Sequence, residues 1–350
     1  MILGSFNLSK IIGGVIGDLV LGNKKAAIAG IILEALGVFA ICFSEIGLYI
    51  GLVLLSIGGG LYLPNLYASA GKLYLQKSKY LDSVYTFLYG TVMLGALIGP
   101  LALLSVQQSE RWITGFILVG LLLILAVVPI IFINNVKNDS ITTDEQLPPL
   151  AARVILIVIA LLFVGILWGV YDLTATHANT LQYHFREISS LPLPPMFWSS
   201  ASSMIIIPIC ILLTVLWLFL KIPQFTKLAL GFILANLSFI ILVTIPESPA
   251  EGQAIIFILS LVLFYFAEII IGPTLNSILA RYTNPKYLGI LMSLNFAPAS
   301  FFMWLITSFS TEVGGYTLQI MIAGCILFSI VTSLLILFAI IKRFTSLKNV

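Results

Sequence analysis

The chemistry in this sequence is read most directly from Glu268, a single carboxylate inside an otherwise apolar stretch, AIIFILSLVLFYFAEIIIGPTLNSILA from Ala254 to Ala280. A helix rises about 1.5 Å per residue, so the acid stands roughly 20 Å from one end and roughly 18 Å from the other, near the middle of a bilayer-spanning segment. A charge at that depth costs on the order of 2.5 to 3.5 kcal/mol and persists where it faces a wet cavity or a partner. That suits a place on a transport pathway; the alternative is a structural carboxylate hydrogen-bonded between helices. Tyr265, Glu268, Gly272 and Asn276 share one face at helical spacing. Pro273 cannot donate to the carbonyl of Ile269, which predicts a kink or loosening one turn past the acid, a position suited to gating.

Other polar groups in apolar surroundings extend the set. In IIGGVIGDLVLGNKK, Gly13, Gly14, Gly17 and Gly22 permit close helix contact and a tight turn, with Asp18 at the membrane edge. This predicts a gating hairpin, its acid paired with a basic or helix-terminal group on a neighbouring loop; the alternative is a glycine-packed turn with a solvated acid. Trp168 and Asp172 are four residues apart in LWGVYDLTATHA, with Asp172 toward the outer end of its run as a proton or substrate contact or simply a hydrated acid. Glu34 is a third acid within an apolar run and a third candidate for proton coupling. Tyr89, in YTFLYGTVMLGALIGP, can turn its hydroxyl toward a cavity or pack as an aromatic. His177 and His184 fall in an expected external stretch. Cys42, Cys210 and Cys325 all lie in apolar runs, so neither a disulfide framework nor a metal site is expected, and no cofactor is implied.

The elements that must position these groups are membrane spans. With 60% hydrophobic and 9% charged residues over 350 and a mean hydropathy of +1.13, a soluble globular domain is excluded, and nothing points to nucleic acid. Eleven apolar runs are long enough to cross, at roughly 2–22, 26–43, 46–64, 83–105, 113–133, 152–174, 198–220, 226–245, 254–280, 287–309 and 317–341. Of the seventeen Lys and Arg, all but Lys10, Arg111 and Arg186 fall in one set of alternate loops. That asymmetry puts those loops and the carboxyl terminus in the cytoplasm of a cell-membrane protein. Eleven crossings then place the amino terminus outside, and the parity predicts one further helix preceding Met1. The polar segment NNVKNDSITTDEQLPPL divides the chain into a helical bundle at 1–133, a cytoplasmic linker at 134–151, a six-helix bundle at 152–341 and a cytoplasmic tail at 342–350.

Several patches together resemble the proton-dependent oligopeptide transporter family within the major facilitator superfamily. GGVIGDLVLGNKK is similar to its GGxxAD...LGR/K turn, GGGLYLPN to GTGLFKPN, YTFLYGTVMLG to FTLFYMGINIG, WGVYDLTATH to WxxYDQxxST and AEIIIGP to SELLIxP. The resemblance implies an all-α membrane protein with the major facilitator fold, of which this chain carries eleven transmembrane helices of a usual twelve, lacking the first. It implies proton-coupled uptake of di- or tripeptides or a related small solute by alternating access, and for Glu268 the role of holding the peptide amino terminus. Glu268, Tyr89, Trp168, Tyr265 and Asn276 are then the substrate-binding candidates, Glu268, Asp172 and Glu34 the proton-coupling ones, and Gly13, Gly14, Asp18 and Pro273 the gating ones. Partners are the lipid bilayer, the solute and protons.

The chain departs from the family where the coupling lysine is Leu63, an asparagine is Met93, a glutamine is Leu173 and another asparagine is Ser199, and the family's ExxERFxYY helix is absent. Each lost hydrogen bond is worth roughly 0.5 to 3 kcal/mol, so a divergent or truncated member without proton coupling is the second reading. A third, intramembrane aspartyl protease, resembles the pairs Tyr171-Asp172 and Gly17-Asp18, but their order is reversed and they lie five runs apart; no HExxH, GxSxG or P-loop is present. An enzyme is therefore not expected.

Overall fold

The computed structural model describes residues 2–107, 112–132, 149–246, 248–295, 297, 298, 301, 302, 304 and 317–348. Every regular element among them is helical. In chain order these are α1 (Ile2–Ile16), a π-helical turn (Gly17–Leu21), α2 (Asn23–Ile41), α3 (Glu45–Tyr74), a 3₁₀ link (Leu75–Tyr80), α4 (Leu81–Gln107) and α5 (Trp112–Phe132). After the expected linker, of which all but its last residues lies outside the described set, come α6 (Leu150–Ile188), α7 (Pro195–Phe219), α8 (Gln224–Val243), α9 (Ala254–Tyr282), α10 (Leu288–Leu294) and α11 (Thr317–Lys348).

Seven helical stretches among the described residues are long and apolar enough to cross a membrane, against eleven runs in the sequence. The difference has local causes. The 15-residue α1 is short and passes into the π turn, and α2 keeps Lys24, Lys25 and Glu34. Two expected crossings fuse into the one continuous stretch Glu45–Leu101, and the run expected at 287–309 lies partly outside the described residues.

Several local expectations are corrected. The span expected at 46–64 continues to Tyr74, with Pro64 inside α3 rather than loosening its end. The run at 152–174 belongs to a helix of 39 residues, so Asp172 stands well inside α6, and His177 and His184 are helical rather than in a loop. Hydropathy reports where hydrocarbon begins and ends, whereas a helix continues as long as its backbone bonds are met. Pro273 lies inside α9. Lys72 and Lys227, counted above among loop cations, are buried on α3 and α8.

The chain forms two compact units, Met1–Leu81 with Ile98–Val158 and Asn276–Ala297, and Asp82–Leu97 with Ile159–Leu275 and Pro298–Val350. In the first, α2 lies so close along α3 that a Cβ on Gly30 would stand 2.6 Å from the Gly58 carbonyl oxygen, and one on Gly58 2.7 Å from Glu34 Cγ. Small residues permit this approach, which dispersion then stabilises where no hydrophobic effect separates helix from lipid. Ile31 packs with Val127 and Ile130 of α5 beside this seam. In the second unit α8 packs on α11 through aromatic contacts: Phe239 meets Phe328 edge-on at 5.2 Å, and Phe225 meets Phe338 at 5.0 Å. Ser238 Oγ donates to the Ser260 carbonyl at 2.8 Å and ties α8 to α9, which carries Glu268.

Candidate functional site

In the second unit, α9 presents Glu268 at 5% exposure. The Tyr89 hydroxyl of α4 donates to Glu268 Oε1. A carboxylate taken from water costs several kcal/mol unless a donor faces it, so this bond is a condition for keeping the acid there. An aromatic wall stands beside the pair. The Tyr171 ring stacks on Phe264 at 4.5 Å with 12° between planes, Trp168 meets Tyr171 edge-on at 5.9 Å, and Phe264 meets Tyr265 at 6.1 Å. Tyr265 is buried and shares a hydrogen bond with Ser202. Tyr265 stands three residues before Glu268 on α9, on the same helix face. One anionic group among ring faces can receive an ammonium or a proton; the rings add cation–π attraction for the former.

Thus Glu268, Tyr89, Trp168 and Tyr265 occur together in one unit, with Asp172 half-buried on α6 one residue past Tyr171. Asn276 and Glu34 belong to the other unit. There Asn276 Oδ1 accepts from Asn295 Nδ2 at 3.0 Å, and Glu34 lies half-buried against Gly58.

The first unit holds a second polar constellation, built on the π turn after α1. Asp18 Oδ2 accepts from the backbone N–H of Ile290 in α10 at 2.8 Å. Its Oδ1 accepts from Asn23 Nδ2 at 2.9 Å and lies 3.7 Å from Lys72 Nζ. Lys72 donates to Asn23 Oδ1 at 2.5 Å, Asn23 donates to Asn65 Oδ1 at 2.8 Å, and Asn65 Nδ2 bonds the carbonyls of Gly13 and Leu61 at 2.9 and 2.8 Å. Asp18 is thus neither solvated nor alone. The glycines make room for this network: a Cβ on Gly17 would fall 1.7 Å from Asn65 Oδ1, one on Gly13 2.1 Å from the Gly60 carbonyl oxygen, and one on Gly14 2.6 Å from that of Gly289.

A third pair was not singled out in the sequence. Lys227 Nζ of α8 donates to Asp82 Oδ2 of α4 at 2.7 Å and sits 3.7 Å over the Trp217 ring, with the lysine 1% exposed. Both charges stand near run ends, where ordinary loop charges also occur, so only their partners distinguish them. Asn65 and Lys72 were missed for the same reason; the signal available was an asparagine directly after Pro64, in a stretch that opens with three glycines.

A family model described as Major Facilitator Superfamily matches residues 2–308. Among curated relatives, the uncharacterized transporter YclF of Bacillus subtilis (strain 168) is 35% identical over 124 residues, 34% of this chain and 25% of that protein. Dipeptide and tripeptide permease B of Aliivibrio fischeri (strain MJ11) is 25% identical over 151 residues, 42% and 30% of the two chains. The chain thus spans between a quarter and a third of the length of these relatives. Among solved structures, a POT family transporter in complex with 5-aminolevulinic acid superposes with a TM-score of 0.64 at 19% identity, over 96% of this chain and 86% of that one. The transporter FucP in the outward conformation gives 0.64 at 13% identity over 95% and 88%. At these identities the likeness is one of fold.

Proposed function

We propose, since the chain belongs to the Major Facilitator Superfamily and is a multi-pass membrane transporter rather than an enzyme, that it takes up di- or tripeptides or a related small amine-bearing solute with protons. The observation that carries this reading is the buried Glu268 carboxylate bonded by Tyr89 beside an aromatic wall. A carboxylate so placed exchanges one counter-group for another: a proton or a substrate ammonium stabilises it, and release of either restores the Tyr89 bond. The curated similarity to a dipeptide and tripeptide permease supports the same substrate class. In this reading the bundles 1–133 and 152–341 rock about the linker 134–151, with the tail 342–350 in the cytoplasm and the chain in the cell membrane. Asp18 latches α10 through Ile290 N–H, and Lys227 with Asp82 ties α8 to α4. Asp172 and Glu34 are secondary proton candidates, and Gly13, Gly14 and Pro273 serve the gating movement.

One observation favours a second reading, in which the solute moves without protons: Leu63, Met93, Leu173 and Ser199 stand where the resembled family has polar groups. Uptake of a labelled dipeptide into proteoliposomes, with and without an inward proton gradient, separates the two. Gradient-driven accumulation supports the first; equilibration indifferent to the gradient supports the second.

A further inference from the structure

Six cations of the first unit are gathered where its helices end. An Arg281 guanidinium N–H donates to the Ser78 carbonyl at 2.8 Å, which joins the end of α9 to the 3₁₀ link that carries Lys77 and Lys79. Asn23 accepts from Lys72, one turn before that link, and a Cβ on Gly289 would stand 2.8 Å from Asn23 Nδ2. Lys24 and Lys25 follow Asn23 at the start of α2, and Lys286 precedes Gly289 by three residues. Contacts between segments, rather than loop composition, thus collect Lys24, Lys25, Lys77, Lys79, Arg281 and Lys286 at one end of this unit.

Like charges this close repel unless something neutralises them. The acids described in the same unit do not. Asp18 is taken by Lys72, Asn23 and the Ile290 N–H, Glu34 stands mid-helix on α2 against Gly58, and Glu45 opens α3, at the far end of that helix. Lys25, Lys77, Lys79 and Lys286 are exposed and enter no ion pair among the described residues. Lys79 and Lys286 lie over the rings of Tyr80 and Tyr287, at 4.7 and 5.6 Å.

The adjoining surface is apolar. Val20 of the π turn, just before Lys24, is 74% exposed, and Leu73, four residues before Lys77, is 43% exposed. Arg281 is the last residue but one of α9, which belongs to a stretch long and apolar enough to cross a membrane. Unpaired cations directly beyond exposed apolar side chains, at helix ends, match the boundary between phosphate headgroups and acyl chains. An acidic protein segment or a soluble phosphate would answer the charges and leave the apolar band uncovered.

We infer that this end of the first unit binds the phosphates of anionic glycerophospholipids through Lys25, Lys77, Lys79 and Lys286, with acyl chains against Val20 and Leu73. The leaflet, cytoplasmic, rests on the topology proposed above; the site itself does not.

The full chain, in nanodiscs of phosphatidylcholine with and without phosphatidylglycerol, is briefly acetylated at its amines and the modification mapped by peptide mass spectrometry. Phosphatidylglycerol is expected to slow acetylation of the four lysines roughly fivefold, the factor carried by one basic residue at an anionic surface. Lys221, an exposed lysine of the second unit, changes far less. Lys77→Gln with Lys79→Gln also removes the protection of Lys25 and Lys286, whereas Lys77→Arg with Lys79→Arg keeps it; equal unfolding temperatures show that both variants are folded. Absence of slowing overturns the inference. So do equal slowing at Lys221, which means a diffuse surface field, protection already present without phosphatidylglycerol, which means a cover made of protein, and protection by inorganic phosphate in plain phosphatidylcholine, which means a soluble ion. The readout requires no transport, so an inactive transporter with the expected pattern contradicts the proposed function and leaves this site standing.

Discussion

A buried carboxylate is an unstable possession, and Glu268 is kept by what surrounds it. Tyr89→Phe removes its hydroxyl donor without altering ring packing, and a hydrogen bond to a charged group contributes roughly 1.5 to 3 kcal/mol. With that competitor for the carboxylate gone, the affinity for a substrate ammonium rises and its release slows, which a direct binding measurement and an efflux assay report together. Fall of affinity in Tyr89→Phe would mean that the hydroxyl holds substrate rather than guarding the acid. In the other unit, Gly17→Ala puts a methyl group 1.7 Å from Asn65 Oδ1 and displaces a carboxamide bonded to Asn23, Gly13 and Leu61. A loss of about 1 to 3 kcal/mol is expected, seen as a lowered unfolding temperature in detergent; unaltered stability would show that Asn65 is not held as described. Glu268 was legible in the sequence because one charge in a long apolar run is anomalous wherever the helix points. Lys227 and Asp82 were not, since charges at run ends are ordinary and their pairing spans 145 residues of sequence.

At the scale of elements, paired charges and caps join helix ends. Lys227 and Asp82 are both buried, so removing one partner strands the other at a cost of about 3 to 5 kcal/mol, whereas replacing both by apolar side chains of similar volume is near neutral. Lys227→Met alone is therefore expected to destabilise the protein strongly, and Lys227→Met with Asp82→Leu to recover most of that loss in thermal unfolding. Equal damage in single and double variants would remove the ion pair from the account. Asp18→Asn keeps the side-chain shape but weakens acceptance from Ile290 N–H and the attraction of Lys72; a cysteine-accessibility assay on α10 is expected to show faster labelling. Helix positions were legible from hydropathy, but helix lengths were not. The polar turns of α6 beyond 174 and the last turns of α3 beyond Pro64 are held by backbone bonds that an apolar-run reading does not see.

For the whole molecule, the fold and transporter class were recoverable from five short patches and their order, because each patch marks a place where helices approach closely or a polar group must be housed. What those patches left open is coupling. The groups at Leu63, Met93, Leu173 and Ser199 are apolar or small where the resembled family is polar, while the carboxylate and its tyrosine are kept. The account assigns coupling to that pair. The most direct test compares wild type and Glu268→Gln, reconstituted at equal density, for accumulation of a labelled dipeptide under an imposed inward proton gradient. The account predicts accumulation by wild type that the variant loses, with both proteins equally inserted and folded; equal accumulation by the two would contradict it.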